Sequence, residues 1–130
     1  MNLILLDSHV VIWAMENSRR LGERARELIT SGVEVHVSAV SLLELTIKAM
    51  RGKIVLPQKF VSRLVDDEGL SLLNLTSDHV EAVCDFPELS GHDPWDRALV
   101  AQASQSGLRL LTADRVLLDL GRDFIVDATT

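Results

Sequence analysis

Short apolar runs alternate along the chain with longer segments of helical periodicity. Runs too short or too regularly alternating for a helix predict strands at Asn2–Leu6, Val33–Val37, Leu70–Leu75, Leu108–Leu111 and Phe124–Val126. Apolar residues spaced by three or four predict helices over Val10–Met15, Arg20–Thr30, Ser38 or Ser41 to about Met50, Gln58–Asp67, Ser77–Asp85, Asp93 to about Ser106, and Asp114–Leu120. Gly32, Gly52 and Gly107 should end the helices before them. Pro87–His92 is expected to be a loop.

Strands that alternate with helices predict an α/β fold, with a short central parallel sheet and helices on both of its faces. In such a fold a crevice forms at the carboxyl ends of the strands. The chain has 130 residues and no internal repeat or linker, so we expect a single domain over residues 1–130.

Composition narrows the protein class. The hydrophobic content of 47% fits a packed globule, and no apolar run approaches the roughly 18–20 residues of a membrane span. The amino-terminal residues lack the pattern of a secretion signal. Cys84 is the only cysteine, which excludes an internal disulfide and a cage of thiolate metal ligands. We therefore expect a cytoplasmic protein without a membrane partner.

The chain is acidic, with 19 Asp and Glu against 13 Lys and Arg and a net charge of −6. That balance argues against a broad basic face for nucleic acid. Most of the acids lie in polar stretches and are explained by solvation. Four are not, and they come from separate segments: Asp7, Glu44, Asp96 and Asp114.

Each of these four acids also has a simple structural explanation. Asp7 and Asp114 follow predicted strands and could cap the next helix. Glu44 could pair with Lys48 one helical turn later. Asp96 lies in the first turn of the helix that Asp93 and Pro94 open, where an acid favours the helix dipole.

These explanations account for each position but not for convergence of the four acids on one crevice. Two carboxylates ~4 Å apart repel by about 4 kcal/mol at an effective dielectric constant near 20. A cation would relieve that repulsion, and an oxygen-only site suits Mg²⁺ or Mn²⁺ better than zinc. Hard divalent ions in carboxylate clusters commonly serve the hydrolysis of phosphodiesters.

Five motifs in register resemble the VapC-type toxins of the PIN-domain family. They are Leu5-Leu6-Asp7-Ser8-His9, Val37-Ser38-Ala39-Val40-Ser41 leading to Glu44, Gly52-Lys53-Ile54-Val55-Leu56-Pro57, Asp93-Pro94-Trp95-Asp96-Arg97 and Thr112-Ala113-Asp114. Together they span nearly the whole chain.

The resemblance implies a PIN-like α/β/α domain that homodimerises, cleaves RNA with Mg²⁺ or Mn²⁺ and is silenced by a cognate antitoxin. Carried over by position, the catalytic and metal-binding quartet is Asp7, Glu44, Asp96 and Asp114. Thr112 matches a hydroxyl that supports the last acid, and Ser8 stands where the family more often has threonine. Asp93 is interpreted chiefly as a helix cap. Arg97 is interpreted as a phosphate contact or a structural partner.

Other residues near the acids are interpreted as structural. His9 and His92 have no partner at ligand spacing, and Trp13 and Trp95 are interpreted as packing residues. Lys48, Arg51 and Lys53 form a basic helix end that could steer a phosphate backbone.

Two other enzyme or signalling classes lack their required residues in this sequence. A phospho-receiver domain would need an acidic pair after the first strand and a lysine after a later one, and a phosphatase would need a second acid where His9 stands. Two alternatives remain open, which are a PIN nuclease that is not a toxin and a catalytically silent α/β binding module.

Overall fold

The computed structural model describes residues 3–31 and 33–130. The strands are β1 (Ile4–Leu6), β2 (Val35–Ser38), β3 (Ser71–Leu73), β4 (Arg109–Thr112) and β5 (Ile125–Asp127). They form a sheet in the order β3-β2-β1-β4-β5, and every pairing is parallel. The predicted α/β class with a short parallel sheet is confirmed.

The helices are α1 (Ser8–Glu16), α2 (Glu23–Thr30), α3 (Ala39–Met50), α4 (Phe60–Ser62), α5 (Ser77–Ala82), α6 (Pro94–Ser106) and α7 (Arg115–Leu118). A π-helical stretch, Arg63–Asp67, continues α4, and a 3₁₀ turn, Val83–Asp85, continues α5. Part of the expected loop before α6 is a further 3₁₀ turn, Pro87–Leu89. Within residues 3–31 and 33–130, no helix has the length and apolar character needed to cross a membrane.

Alternate residues of the central strand face opposite cores, which makes the fold three-layered. Ile4 and Leu6 pack with residues of α1, α2, α3 and α4. Leu5 packs on the other side with residues of α6 such as Leu99 and Val100. All three residues of β1 are at most 1% exposed, because the strand lies in the middle of the sheet and is covered on both faces.

Most boundaries differ from the sequence prediction by a few residues, and one difference has a tertiary cause. The helix predicted from Arg20 begins at Glu23, with Gly22 as its N-cap. The carboxyl-terminal segment lies against this turn, since Gly22 N–H donates to Ala128 O at 2.9 Å and Arg24 N–H to Thr130 O at 3.0 Å. Asn2 of the first predicted strand and Gly32, predicted to end α2, lie outside the described residues.

Candidate metal centre

Asp7 and Asp114 lie side by side because the strands that precede them are neighbours. β1 pairs directly with β4, and each acid follows soon after the carboxyl end of its strand. Both also cap the helix that comes next. Asp7 Oδ1 accepts from Ser8 N–H at 2.6 Å, and Asp114 Oδ1 accepts from Val116 N–H at 2.8 Å. Capping occupies one oxygen of each carboxylate and leaves the other directed elsewhere.

Thr112 connects these two acids. Its buried hydroxyl donates to Asp7 Oδ2 at 2.6 Å and accepts from Asp114 N–H at 3.0 Å. The resemblance implies that Thr112 supports Asp114. The Thr112 hydroxyl contacts Asp114 through its backbone amide, and it also donates its proton to Asp7.

Glu44 is only 5% exposed, although it lies in the middle of α3. Its Oε1 accepts from the Ser8 hydroxyl at 2.5 Å, and its Oε2 accepts from Lys48 Nζ at 2.7 Å. The simple explanation of an i,i+4 ion pair is thus present, but the pair is partly buried and lies at the crevice. Ser8 and Lys48 together orient Glu44.

Asp96 lies in the first turn of α6 and approaches Asp114 from the other side. His92 Nε2 lies 3.1 Å from Asp96 Oδ2 and 3.5 Å from Asp114 Oδ2. One ligand atom from each of these three residues lies within 4.8 Å of the other two. Such a cluster has the dimensions of a cation site.

Burial and neighbouring charges raise the pKa values of two of these acids. Burial, followed by the negative charges of Asp7, Asp114 and Asp93, raises the pKa of Asp96 to about 8. Burial also raises the pKa of the Asp7 carboxyl, although hydrogen bonds from Thr112 and Ser8 oppose that rise. A cation bound among these acids would favour the charged form of Asp96.

Asp93 and Arg97 have different surroundings from the quartet. Asp93 Oδ1 accepts from Trp95 N–H at 2.8 Å and caps α6, and the residue also borders the crevice. Arg97 lies outside the crevice lining, and its guanidinium donates to Ser90 O at 3.3 Å. A structural contact is therefore the interpretation of Arg97 that the geometry favours.

The four acids line one open crevice of about 550 Å³, which we call the acid crevice. Its lining also includes His9, Trp13, Arg20, Lys48, His92, Asp93 and Ala113. Sequence reasoning missed Arg20 and gave His92 a structural role. The i,i+4 spacing of His92 and Asp96 was a signal for the role of His92. That signal was weak because the pair spans the start of α6 and does not lie on one regular helix.

The donor set fits a divalent cation. Several carboxylates and one imidazole face the same space, and their mutual repulsion is relieved if positive charge lies among them. Carboxylate oxygens suit Mg²⁺ and Mn²⁺, whereas the imidazole of His92 means that the site is not the oxygen-only one that the sequence predicted.

Comparison with known proteins agrees with this fold. The family model for the PIN domain matches residues 4–123. The chain therefore belongs to the PIN-domain family. It is 33% identical to Ribonuclease VapC22 of Mycobacterium tuberculosis (strain ATCC 25618 / H37Rv) over 118 residues, which cover 90% of this chain and 91% of that relative. Within the family it is a PIN domain of the VapC type.

Two solved structures share the fold. One is a toxin–antitoxin complex from Klebsiella pneumoniae, with a TM-score of 0.66 and 15% identity over 96% of this chain and 97% of that chain. The other is the DNA-bound VapBC of Salmonella typhimurium, with a TM-score of 0.61 and 20% identity over 91% of this chain and 92% of that chain. At these identities the likeness concerns the fold.

Proposed function

We propose that this chain is a Mg²⁺- or Mn²⁺-dependent endoribonuclease that hydrolyses RNA phosphodiester bonds at a four-carboxylate site and acts as the toxin of a toxin–antitoxin pair. The observation that carries the proposal is the acid crevice, where acids from four separate segments meet and the pKa of Asp96 is raised to about 8. The identity to a VapC ribonuclease supports the choice of RNA as substrate. We also propose that residues 1–130 form one domain and that the protein acts in the cytoplasm.

Some residues of the crevice would bind the cation, and others orient the carboxylates that do so. Asp96, Asp114 and His92 offer adjacent ligand atoms, and Asp7 and Glu44 complete the negative wall. A divalent cation bound there would supply Lewis acidity and positive charge toward a scissile phosphate. Thr112 and Ser8 fix the carboxylates of Asp7 and Glu44 through short hydrogen bonds, so the binding geometry is organised before any ligand arrives.

Cleavage of a panel of mixed RNAs, with EDTA and with Mg²⁺ or Mn²⁺, tests the activity. We expect ion-dependent cutting by the wild type and its loss in Asp7→Asn and in Asp96→Asn. The matched control is Asp123→Asn, which removes one exposed carboxylate outside the acid crevice. Near-normal ion-dependent cleavage by either crevice variant would remove that residue from the catalytic set.

The partner part of the proposal is a small antitoxin protein that inhibits by placing an Arg or Lys side chain among the four acids. A guanidinium pairs with a carboxylate through two hydrogen bonds, so the cation-free crevice is a suitable receptor. Two structural neighbours are toxin–antitoxin assemblies, which supports the same idea.

The apolar surface available to such a partner lies on α3 and near the segment Phe60–Leu64. Phe60 and Leu64 themselves are buried in the core and are not part of it. The exposed apolar residues of that region are Val55 and Val61, at 95% and 42% exposure. On α3, Met50 is exposed at 82%.

Co-expression with the product of the adjacent reading frame tests the partner. We expect co-purification and loss of ribonuclease activity in the complex. Free and fully active protein would contradict the toxin–antitoxin assignment and leave the nuclease assignment standing.

The second copy of a homodimer is proposed to occupy an apolar surface between α3 and α6. Val40, Leu43, Leu75, Pro94, Trp95 and Ala98 line a hollow there of about 240 Å³. The two helices that form it also carry Glu44 and Asp96, so the surface adjoins the acid crevice. Light scattering of the wild type and of Leu43→Glu tests this: we expect a dimer and a monomer, and an unchanged mass would exclude this surface.

A further inference from the structure

One wall of the acid crevice carries an aromatic ring and a basic side chain, Trp13 and Arg20, which the proposed chemistry does not use. His9 and Trp13 are four residues apart on α1, so they project from the same side of the helix. Trp13 is half-buried, with part of its ring packed on the core beneath, while Arg20 is exposed. We call this surface the Trp13–Arg20 wall.

The loop that presents Arg20 is firmly held. Asn17 ends α1 in the left-handed conformation, with φ of 52°, which turns the chain back toward the crevice. Arg26 of α2 then bonds the loop through its guanidinium, to Asn17 Oδ1, to Ser18 O at 2.9 Å and to Leu21 O at 3.3 Å. These contacts hold the backbone on both sides of Arg20.

The guanidinium of Arg20 has no ion-pair partner within the part of the chain that the structure describes. No ion pair there involves Arg20, whereas the other basic side chain of the crevice, Lys48, is paired with Glu44 at 2.7 Å. The loop thus places an unpaired guanidinium in the lining of the acid crevice. An anionic group of a bound ligand could pair with it there.

From this arrangement we infer that the Trp13–Arg20 wall is a nucleotide-binding subsite for single-stranded RNA, in which Arg20 binds a backbone phosphate and Trp13 stacks on a base next to the cleavage point. The inference rests on the proposed function, whose substrate strand must cross a crevice that is otherwise acidic. Aromatic stacking and an arginine–phosphate contact are the usual means of binding an unpaired strand. In a chain of net charge −6, one placed guanidinium has a large effect on where the strand lies.

The test compares Arg20→Ala with Arg19→Ala, which makes the same charge change on an exposed neighbour outside the crevice lining. Binding of a short single-stranded RNA of mixed sequence is titrated at several salt concentrations with Mn²⁺ present. All binding variants carry Asp96→Asn so that the RNA is not cut. Arg20→Ala should weaken binding several-fold and make the salt dependence shallower by about 0.7 in slope, the value of one single-strand phosphate contact. Arg19→Ala should retain the full slope, and Arg20→Lys should recover most of it.

Trp13 is tested separately, because its ring also packs on the core. Trp13→Leu keeps apolar bulk without an aromatic face and should weaken RNA binding about tenfold, within the range of one lost stacking contact. Trp13→Phe should recover most of the affinity, and melting temperatures show whether either variant has lost stability. In a Trp95→Phe background, Trp13 is the sole tryptophan, and its fluorescence should be quenched as RNA binds.

Several outcomes would overturn the inference. One is equal RNA affinity and salt slope in Arg20→Ala and Arg19→Ala. Another is Trp13 fluorescence that RNA does not change. A third is an Arg20→Ala variant that binds RNA normally but escapes inhibition by the co-expressed partner, since the wall would then bind an acidic protein segment. Binding through the wall without cleavage by the wild type would instead contradict the nuclease proposal alone.

Discussion

Asp7 and Asp96 both have raised pKa values, and burial is the main cause in each case. Asp7 accepts hydrogen bonds from the Thr112 hydroxyl and the Ser8 amide, which favour its charged form. For Asp96, burial and the charges of Asp7, Asp114 and Asp93 all act in the same direction and raise its pKa. A bound cation would favour the charged form of both carboxyls.

A pH dependence of stability follows from the raised pKa of Asp96. In the cation-free protein the folded carboxyl keeps its proton up to about pH 8, whereas the unfolded carboxyl loses it near its ordinary value of 3.8. Between those values the folded state binds more protons, so the free energy of unfolding falls as the pH rises. The contribution is complete below 3.8 and is lost by about pH 8.

Urea unfolding in EDTA at a series of pH values measures this effect. We expect the difference in unfolding free energy between wild type and Asp96→Asn to shift in favour of the variant as the pH rises, because asparagine does not titrate. A difference that stays constant from pH 4 to about 8 would contradict a raised pKa at Asp96.

At the scale of elements, the start of α2 depends on a close approach by the chain's own carboxyl terminus. A Cβ at Gly22 would lie 2.2 Å from the carbonyl carbon of Thr130, well inside contact distance. The position therefore requires glycine because of space, as its φ of −68° is open to any residue.

Gly22→Ala should destabilise the fold by about 1–3 kcal/mol, the usual cost of overpacking. The control is Gly91→Ala, since a Cβ at Gly91 meets nothing within 4 Å. Urea midpoints of the two variants measure the difference. Removal of Thr129 and Thr130 should abolish the cost of Gly22→Ala, and a cost that persists in the shortened chain would show that the terminus is not its cause.

At the scale of the whole molecule, the acid crevice joins four segments that are distant in sequence. Asp7 follows β1, Glu44 lies in α3, Asp96 in α6, and Asp114 follows β4. The unfolded chain does not bring these residues together, so a cation that binds them binds the folded state.

Divalent ions should therefore stabilise the whole domain. The free energy of unfolding should rise by about 2.7 kcal/mol at a hundredfold excess of ion over its Kd. Thermal melting in EDTA and in millimolar Mn²⁺ measures the shift, which Asp123→Asn should retain and Asp96→Asn should reduce. Equal melting temperatures of the wild type in the two conditions would contradict an assembled ion site.

The sequence predicted features that arise from local patterns. Apolar runs located the strands, periodicity and capping residues located the helices, and their alternation predicted the parallel sheet. Since the acids at 7 and 114 follow strands, their place at the carboxyl edge of the sheet was also predictable. Boundaries were less exact where α4 continues as a π-helical stretch, because that change of winding leaves no clear mark in apolar spacing.

The tertiary structure alone decided which side chains contact one another across the crevice. Thr112 donates to Asp7 across 105 positions of sequence, Ser8 donates to Glu44 across 36, and His92 lies beside Asp114 as well as Asp96. The burial of Phe60 and the close approach of the terminus to Gly22 belong to the same group. Local patterns constrain a residue's neighbours along one helix or strand, whereas these contacts depend on how separate elements pack.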